Sequence, residues 1–175
     1  LVLVIFQAAL GMWTVTMNLQ PLIVMGHLLG GFSILALLTL LYLRLTSQPI
    51  TGGDAGAKPH FKLSLVALTV LILQIALGGW TAANYAAVAC TDLPICEPGW
   101  QQKFDIGSAL SVPTGYEDYE FGVFPYEARM TIHVLHRVGA MVVTASILML
   151  LYLLFRQTQL RPFGIVIMAI TTTQI

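Results

Sequence analysis

Five stretches of the chain are built almost wholly of apolar residues: Leu1–Thr16, Pro21–Leu43, Leu63 to about Ala83, Met130–Leu154, and Pro162 or Phe163 to Ile175. At about 1.5 Å rise per residue, twenty-odd helical residues cross about 30 Å of hydrocarbon, so the pattern predicts membrane-spanning helices. Polar or Gly/Pro-punctuated segments separate them: Asn18–Pro21, Thr46–Lys62, Tyr85–Arg129, and a short turn carrying Arg156 and Arg161. Pro21 suits the first turn of a helix, where an N–H would have no acceptor. His60, beside Lys62 in a polar loop, reads as a solvated side chain.

Composition agrees with the pattern. The chain is 57% hydrophobic and 9% charged, with a mean hydropathy of +0.83, which excludes an ordinary soluble domain. A formal net charge of zero gives no electrostatic footprint for nucleic acid. That zero hides a segregation: residues 85–129 hold seven of the eight acids and two of the eight bases. The short loops carry Arg44, Lys58, Lys62, Arg156 and Arg161 against Asp54 alone. The positive-inside rule then makes those loops cytoplasmic and the acidic loop, with the Asn18 turn, extracytoplasmic. Leu1–Thr16 has no basic leader and is read as a span, not a signal peptide. Because both ends of the chain lie in apolar runs, the expectation is an internal piece of a longer polytopic protein.

An internal repeat runs through two spans. Ile5–Val15 aligns without gaps on Ile72–Ala82, at an offset of 67 residues, sharing Q-x-x-x-G-x-W-T with a leucine before the glycine; Gln174 is a candidate opening of a third copy. Glycines at Gly11, Gly78 and Gly79 would let helices approach closely, with Trp13 and Trp80 in the interfacial belt. Gln7 and Gln74 need buried partners, because an unpaired amide in hydrocarbon costs several kcal/mol.

Candidate chemistry lies with the histidines and cysteines. His27 precedes Gly30, and His136 precedes Gly139, by one turn, each H-x-x-G about six residues inside its helix end. Imidazoles in a membrane span must face a partner, an ion path or a cofactor. The glycine predicts a flat notch beside the imidazole where a planar ligand could lie, which points to axial ligation of haem iron by His27 and His136. His133, about 60° from His136 around the helix, reads as hydrogen-bonded to a neighbour or interfacial. For Arg137 two readings stand: pairing with a haem propionate, or snorkelling. Cys90 and Cys96 are the only cysteines, six residues apart in the loop assigned to the oxidising side, and a disulfide is the leading reading, two thiolates without a third Cys or a His making a poor zinc site.

With these residues in view, the chain resembles the haem A synthase family. The resemblance rests on Gln7 to Gly11 ahead of the Met25-Gly26-His27-Leu28 run, on His136-Arg137, and above all on the loop A-C-T-D-L-P-I-C, Ala89–Cys96, and it covers essentially all 175 residues. It implies eight spans in two four-helix halves, each with a pair of haem-ligating histidines. Residues 1–44 would then end the N-terminal half, 45–62 be a cytoplasmic loop, and 63–175 begin the C-terminal half, with spans 63–83, 130–154 and 163–175 (incomplete) and the extracytoplasmic loop 85–129. By the same resemblance the C-terminal half holds haem b with His136, Arg137 and Gly139 around it, the N-terminal half holds substrate haem O with His27 and Gly30, and Cys90 is bonded to Cys96. The implied reaction is oxidation of the C8 methyl group of haem O to a formyl group, in a bacterial inner membrane, with haem O synthase and a membrane electron donor as partners and a homo-oligomer as a possible assembly. The spans carrying the other ligands fall outside the chain, so these residues alone are expected to be inactive. A di-haem cytochrome b-like electron-transfer subunit is the alternative. A proton or ion relay is disfavoured, since none of these spans contains Asp or Glu.

The charge segregation generates a testable topology. Single cysteines engineered at Gly52 and Gln157 should resist a membrane-impermeant thiol reagent added from outside, while one at Ser111 should react. Labelling at 52 and not at 111 would invert the orientation.

Overall fold

The computed structural model describes residues 1–46 and 58–173. It is helical throughout its regular structure, with α1 (Val2–Thr16), α2 (Pro21–Thr46), α3 (Phe61–Ala83), a four-residue α4 (Ile106–Ala109), α5 (Tyr126–Arg156) and α6 (Arg161–Thr172). The segments from Pro21, Lys58 and Tyr126 are long and apolar enough to cross a bilayer, and α1 and α6 are shorter apolar helices. The protein is a multi-pass membrane protein of the all-α class. The helices pack in chain order, α1 on α2, α2 on α3, α3 on α5 and α5 on α6.

These helices satisfy their polar groups from within, as lipid requires. The hydroxyls of Ser33, Thr39, Thr69, Thr144 and Thr171 each donate to the carbonyl four residues back, at 2.8 Å. Apolar side chains point outward along α2, with Leu35, Leu38 and Leu41 all exposed. In a bilayer this carries no hydrophobic penalty, because lipid tails are as apolar as leucine. At the Asn18 turn, the Gln20 side chain accepts from the Ile23 N–H at 3.1 Å and so caps α2.

The long loop folds over one end of the bundle. Trp80 is buried with Ala86, Ala109 and Ile132, and its indole N–H donates to the Ala109 carbonyl at 2.8 Å. The Asp105 N–H donates to the Thr131 hydroxyl, and Asn18 donates to the Glu117 carbonyl while accepting from the Tyr119 N–H. The loop thus ties α5 to the α1–α2 turn. Asp105 caps α4, and hydrogen bonds from Ser108, the side chain's first, hold its carboxyl below the usual range. Gly122, at φ +79°, lies so close to the Asn84 carbonyl that a Cβ would stand 2.6 Å from its oxygen.

Several sequence expectations change here. Helix α5 starts at Tyr126, a turn before Met130, because Pro125 lets the chain enter a helix and Glu127 complements the positive helix end. Helix α2 runs on to Thr46. Trp80 is not an interfacial anchor but part of the core beneath the loop, whereas Trp13 is 38% exposed. His60 is half-buried and lies 2.7 Å, Nε2 to Nε2, from Gln157, closing α3 onto the end of α5, where Ala67, Leu150, Leu154 and Leu160 form a second core. Gly52, Asp54 and Gln174 lie outside the described residues.

Cys90 and Cys96 are bonded, and Cys90 is buried against Met130 and Val134 of α5. Replacing both by Ser should lower stability by about 2 to 4 kcal/mol through loss of the cross-link. Intact-mass analysis after alkylation without reductant should show no added alkyl group on the native protein; two groups would mean free thiols.

Candidate functional site

The two copies of the sequence repeat occupy equivalent places in two helix pairs. Gln7 and Gly11 on α1 face His27 and Gly30 on α2; Gln74 and Gly78 on α3 face His136 and Gly139 on α5. Each imidazole lies over the glycine of the opposite helix. A Cβ at Gly11 would stand 3.1 Å from His27 Cε1, and one at Gly78 would stand 3.2 Å from His136 Cε1. Each glutamine in turn fills the space beside the glycine of the histidine helix, so that a Cβ at Gly30 or Gly139 would overlap the amide of Gln7 or Gln74. Two residues per helix therefore interlock, and neither helix could move closer or slide without a clash.

This corrects the expectation of an open notch. The hollows beside Gly30 and Gly139 hold glutamine amides, because only a glycine lets the amide of the facing helix come so near. Gln74 Nε2 donates to the His136 carbonyl at 2.9 Å and lies 3.0 Å from His136 Nδ1, leaving Gln74 Oε1 buried without a partner. In the other pair Gln7 is buried, 7% exposed, and its Nε2 has no partner. The interlock itself is not visible in either motif alone. Its signal was the coincidence of a Gln/Gly pair four apart with a His/Gly pair three apart, twice over.

His133 and Arg137 belong to a different construction. His133 is buried, 8% exposed, with the Cys90 N–H 3.2 Å from Nδ1 and Arg137 Nε 3.1 Å from Nε2, and a neutral imidazole accepts at one of these nitrogens while the other carries its proton. The Arg137 guanidinium donates further to the carbonyls of Asp92 (2.6 Å), Ile95 (2.8 Å) and Cys90 (2.9 Å), all in the ring closed by the disulfide. It clamps the cysteine loop, because three carbonyls converge where α5 passes beneath them. Cys90, Cys96 and Glu97 bring their ligand atoms within 4.8 Å of one another, but both sulfurs are spent in the disulfide and hold no metal.

One residue escaped the sequence reading. Arg129, in the first turns of α5, has a buried Nε with no partner. It stands seven residues before His136, which puts both on one helix face about 10.5 Å apart along the axis. That i, i+7 spacing was the available signal.

A cavity of about 510 Å³ opens between α2 and α3, lined by Leu22, Met25, Leu73, Ala76, Leu77 and Trp80 with Leu110 and Val112 of the loop above. Neither histidine lines it. The helices close together just beside it, where a Cβ at Gly79 would stand 2.8 Å from Leu28 Cδ2.

Comparison with known proteins agrees with this picture. Over 174 residues the chain is 50% identical to heme A synthase of Shewanella oneidensis, an alignment covering 99% of this chain and 53% of the relative. The chain thus spans about half the length of the curated relative it matches. No solved structure matches it. Residues 1–175 in their entirety match the COX15-CtaA family, described as cytochrome oxidase assembly protein. The duplicated histidine helices and the clasped cysteine loop are therefore features of a member of that family, and the chain belongs to the COX15-CtaA cytochrome oxidase assembly proteins.

Proposed function

We propose that this chain contributes the His27 and His136 haem positions of a haem A synthase, which oxidises the C8 methyl group of haem O to a formyl group for cytochrome oxidase. The observation that carries the proposal is the duplicated interlock: one imidazole per helix pair, each backed by a glycine of the opposite helix, in a chain matched along its whole length by the family. Its donor set fits a haem. An imidazole is a strong axial ligand, and the surroundings of the half-buried His136 and the exposed His27 are otherwise apolar. Bound haem b supplies one-electron transfer.

The chain's own residues have separate tasks in this reading. His136 offers iron a ring nitrogen on the α3–α5 side, with Gly139 admitting the Gln74 amide behind it. His27 does the same for haem O on the α1–α2 side, with Gly30 admitting Gln7. Arg129, whose Nε lacks a partner, is the cation suited to a propionate, since it shares a face with His136 toward the loop. Arg137 keeps the loop seated above. The apolar cavity between α2 and α3 suits an aliphatic tail of the substrate and not its macrocycle, because no imidazole borders it. The site lies in the bacterial inner membrane near its extracytoplasmic face, by the charge asymmetry of the loops.

Substitutions in the full-length, haem-loaded protein separate these roles. His136→Ala should abolish the low-spin haem b signal in electron paramagnetic resonance and the activity with it. His27→Ala should leave that signal and abolish conversion of haem O. His133→Ala should leave low-spin haem b in place, since its ring is buried against Cys90 and Arg137 of the chain. Arg129→Gln should keep the low-spin signal but weaken haem retention about tenfold or more, as expected when a charge-assisted contact of 1.5 to 3 kcal/mol is lost. Loss of the low-spin signal in the His133 variant together with its survival in the His136 variant would overturn the ligand assignment.

A further inference from the structure

We infer that Gln74 is the positioning residue for the His136 imidazole, holding the ring by Nδ1 so that Nε2 is the nitrogen presented to iron, and that His27 has no such restraint. The inference rests on the haem reading above and concerns residues to which that reading gives no electronic role.

Two independent facts meet at Gln74. Its amide is seated in the hollow of Gly139, where any side chain at 139 would displace it, and from there it reaches both the Nδ1 and the backbone carbonyl of His136. The ring is held on its other side by Gly78. Rotation of the imidazole is thus opposed on two sides, once by a steric wall and once by hydrogen bonding.

The chemistry of ligation then assigns the amide its task. Iron takes the lone pair of a neutral imidazole, so a ring bound through Nε2 carries its proton on Nδ1 and needs an acceptor there. The acceptor at hand is Gln74 Oε1, the amide atom that is buried without a partner. A half-turn about the terminal torsion of Gln74, which is soft, exchanges the two amide ends and brings that oxygen to the Nδ1–H, giving up the bond to the His136 carbonyl. An acceptor on Nδ1–H increases electron density on the ring and favours the ferric state.

The α1–α2 pair has the same cradle without the bond. Gln7 fills the hollow of Gly30, yet its Nε2 has no partner, and His27 is exposed and lies over Gly11 of the facing helix. A fixed ligand suits a resident haem that must keep one potential, whereas an unrestrained one suits a haem that must enter and leave.

Redox titration of the haem-loaded protein tests this. Gln74→Leu should raise the midpoint potential of the His136 haem and Gln74→Glu should lower it, with the largest g value moving in opposite directions. A purely structural glutamine would shift both variants the same way or neither, and either result overturns the inference. If the Leu variant fails to assemble, the Glu variant alone decides: a potential below that of the native protein supports the inference, and an equal or higher one overturns it. Survival of the low-spin signal in His136→Ala would instead overturn the ligand reading, and this inference with it.

Discussion

A polar side chain inside a bilayer must be accommodated within the protein, and in this chain glutamines are seated against glycines, Gln74 finding partners on His136 and Gln7 taking the same seat with its Nε2 unpartnered. Gln7 and Gln74 are the amides of the two repeats, and each lies where the opposite helix has no Cβ. Close approach supplies dispersion contacts over the helix faces, and apolar helices in lipid gain nothing from hydrophobic association. The same contact brings an imidazole onto the reciprocal glycine. Helix pairing and site construction are therefore one event, and a residue that fills Gly11, Gly30, Gly78 or Gly139 would disturb both.

The loop over the histidine end is held by a second polar economy. Arg137 makes four hydrogen bonds, three to loop carbonyls and one to His133, and the disulfide confines those carbonyls to one small ring. A guanidinium next to a membrane span would otherwise be drawn to the interface. Here converging carbonyl dipoles replace water, and the loop becomes a rigid cover. Because Arg137 follows His136 directly, the cover and the imidazole share one turn of α5.

The two helix pairs are alike in backbone and unlike in polar satisfaction. At α3–α5 the amide bonds the imidazole's own residue; at α1–α2 it does not. Duplication supplied the geometry, and a difference in hydrogen bonding distinguishes the two sites. An apolar cavity lies between α2 and α3, walled by Trp80, which the loop holds through the Ala109 carbonyl.

Much of this was legible in the chain itself. Runs of apolar residues longer than a bilayer is thick determine spanning helices, since backbone amides in lipid can be satisfied only within the segment, and the repeat with its H-x-x-G partners marked the residues of the site. The cysteine pair, six apart in a loop, made a disulfide the leading reading, and the structure bonds the two. Tertiary structure alone decided what each side chain touches. A glycine in a sequence announces that something comes close, but whether an amide or a porphyrin edge fills the space depends on the facing helix, which is why the notches at Gly30 and Gly139 hold glutamine. Trp80 changed its role and Arg137 gained its loop partners for the same reason: a membrane pattern predicts depth along the normal, whereas the loop that covers them approaches from residues up to 47 positions away.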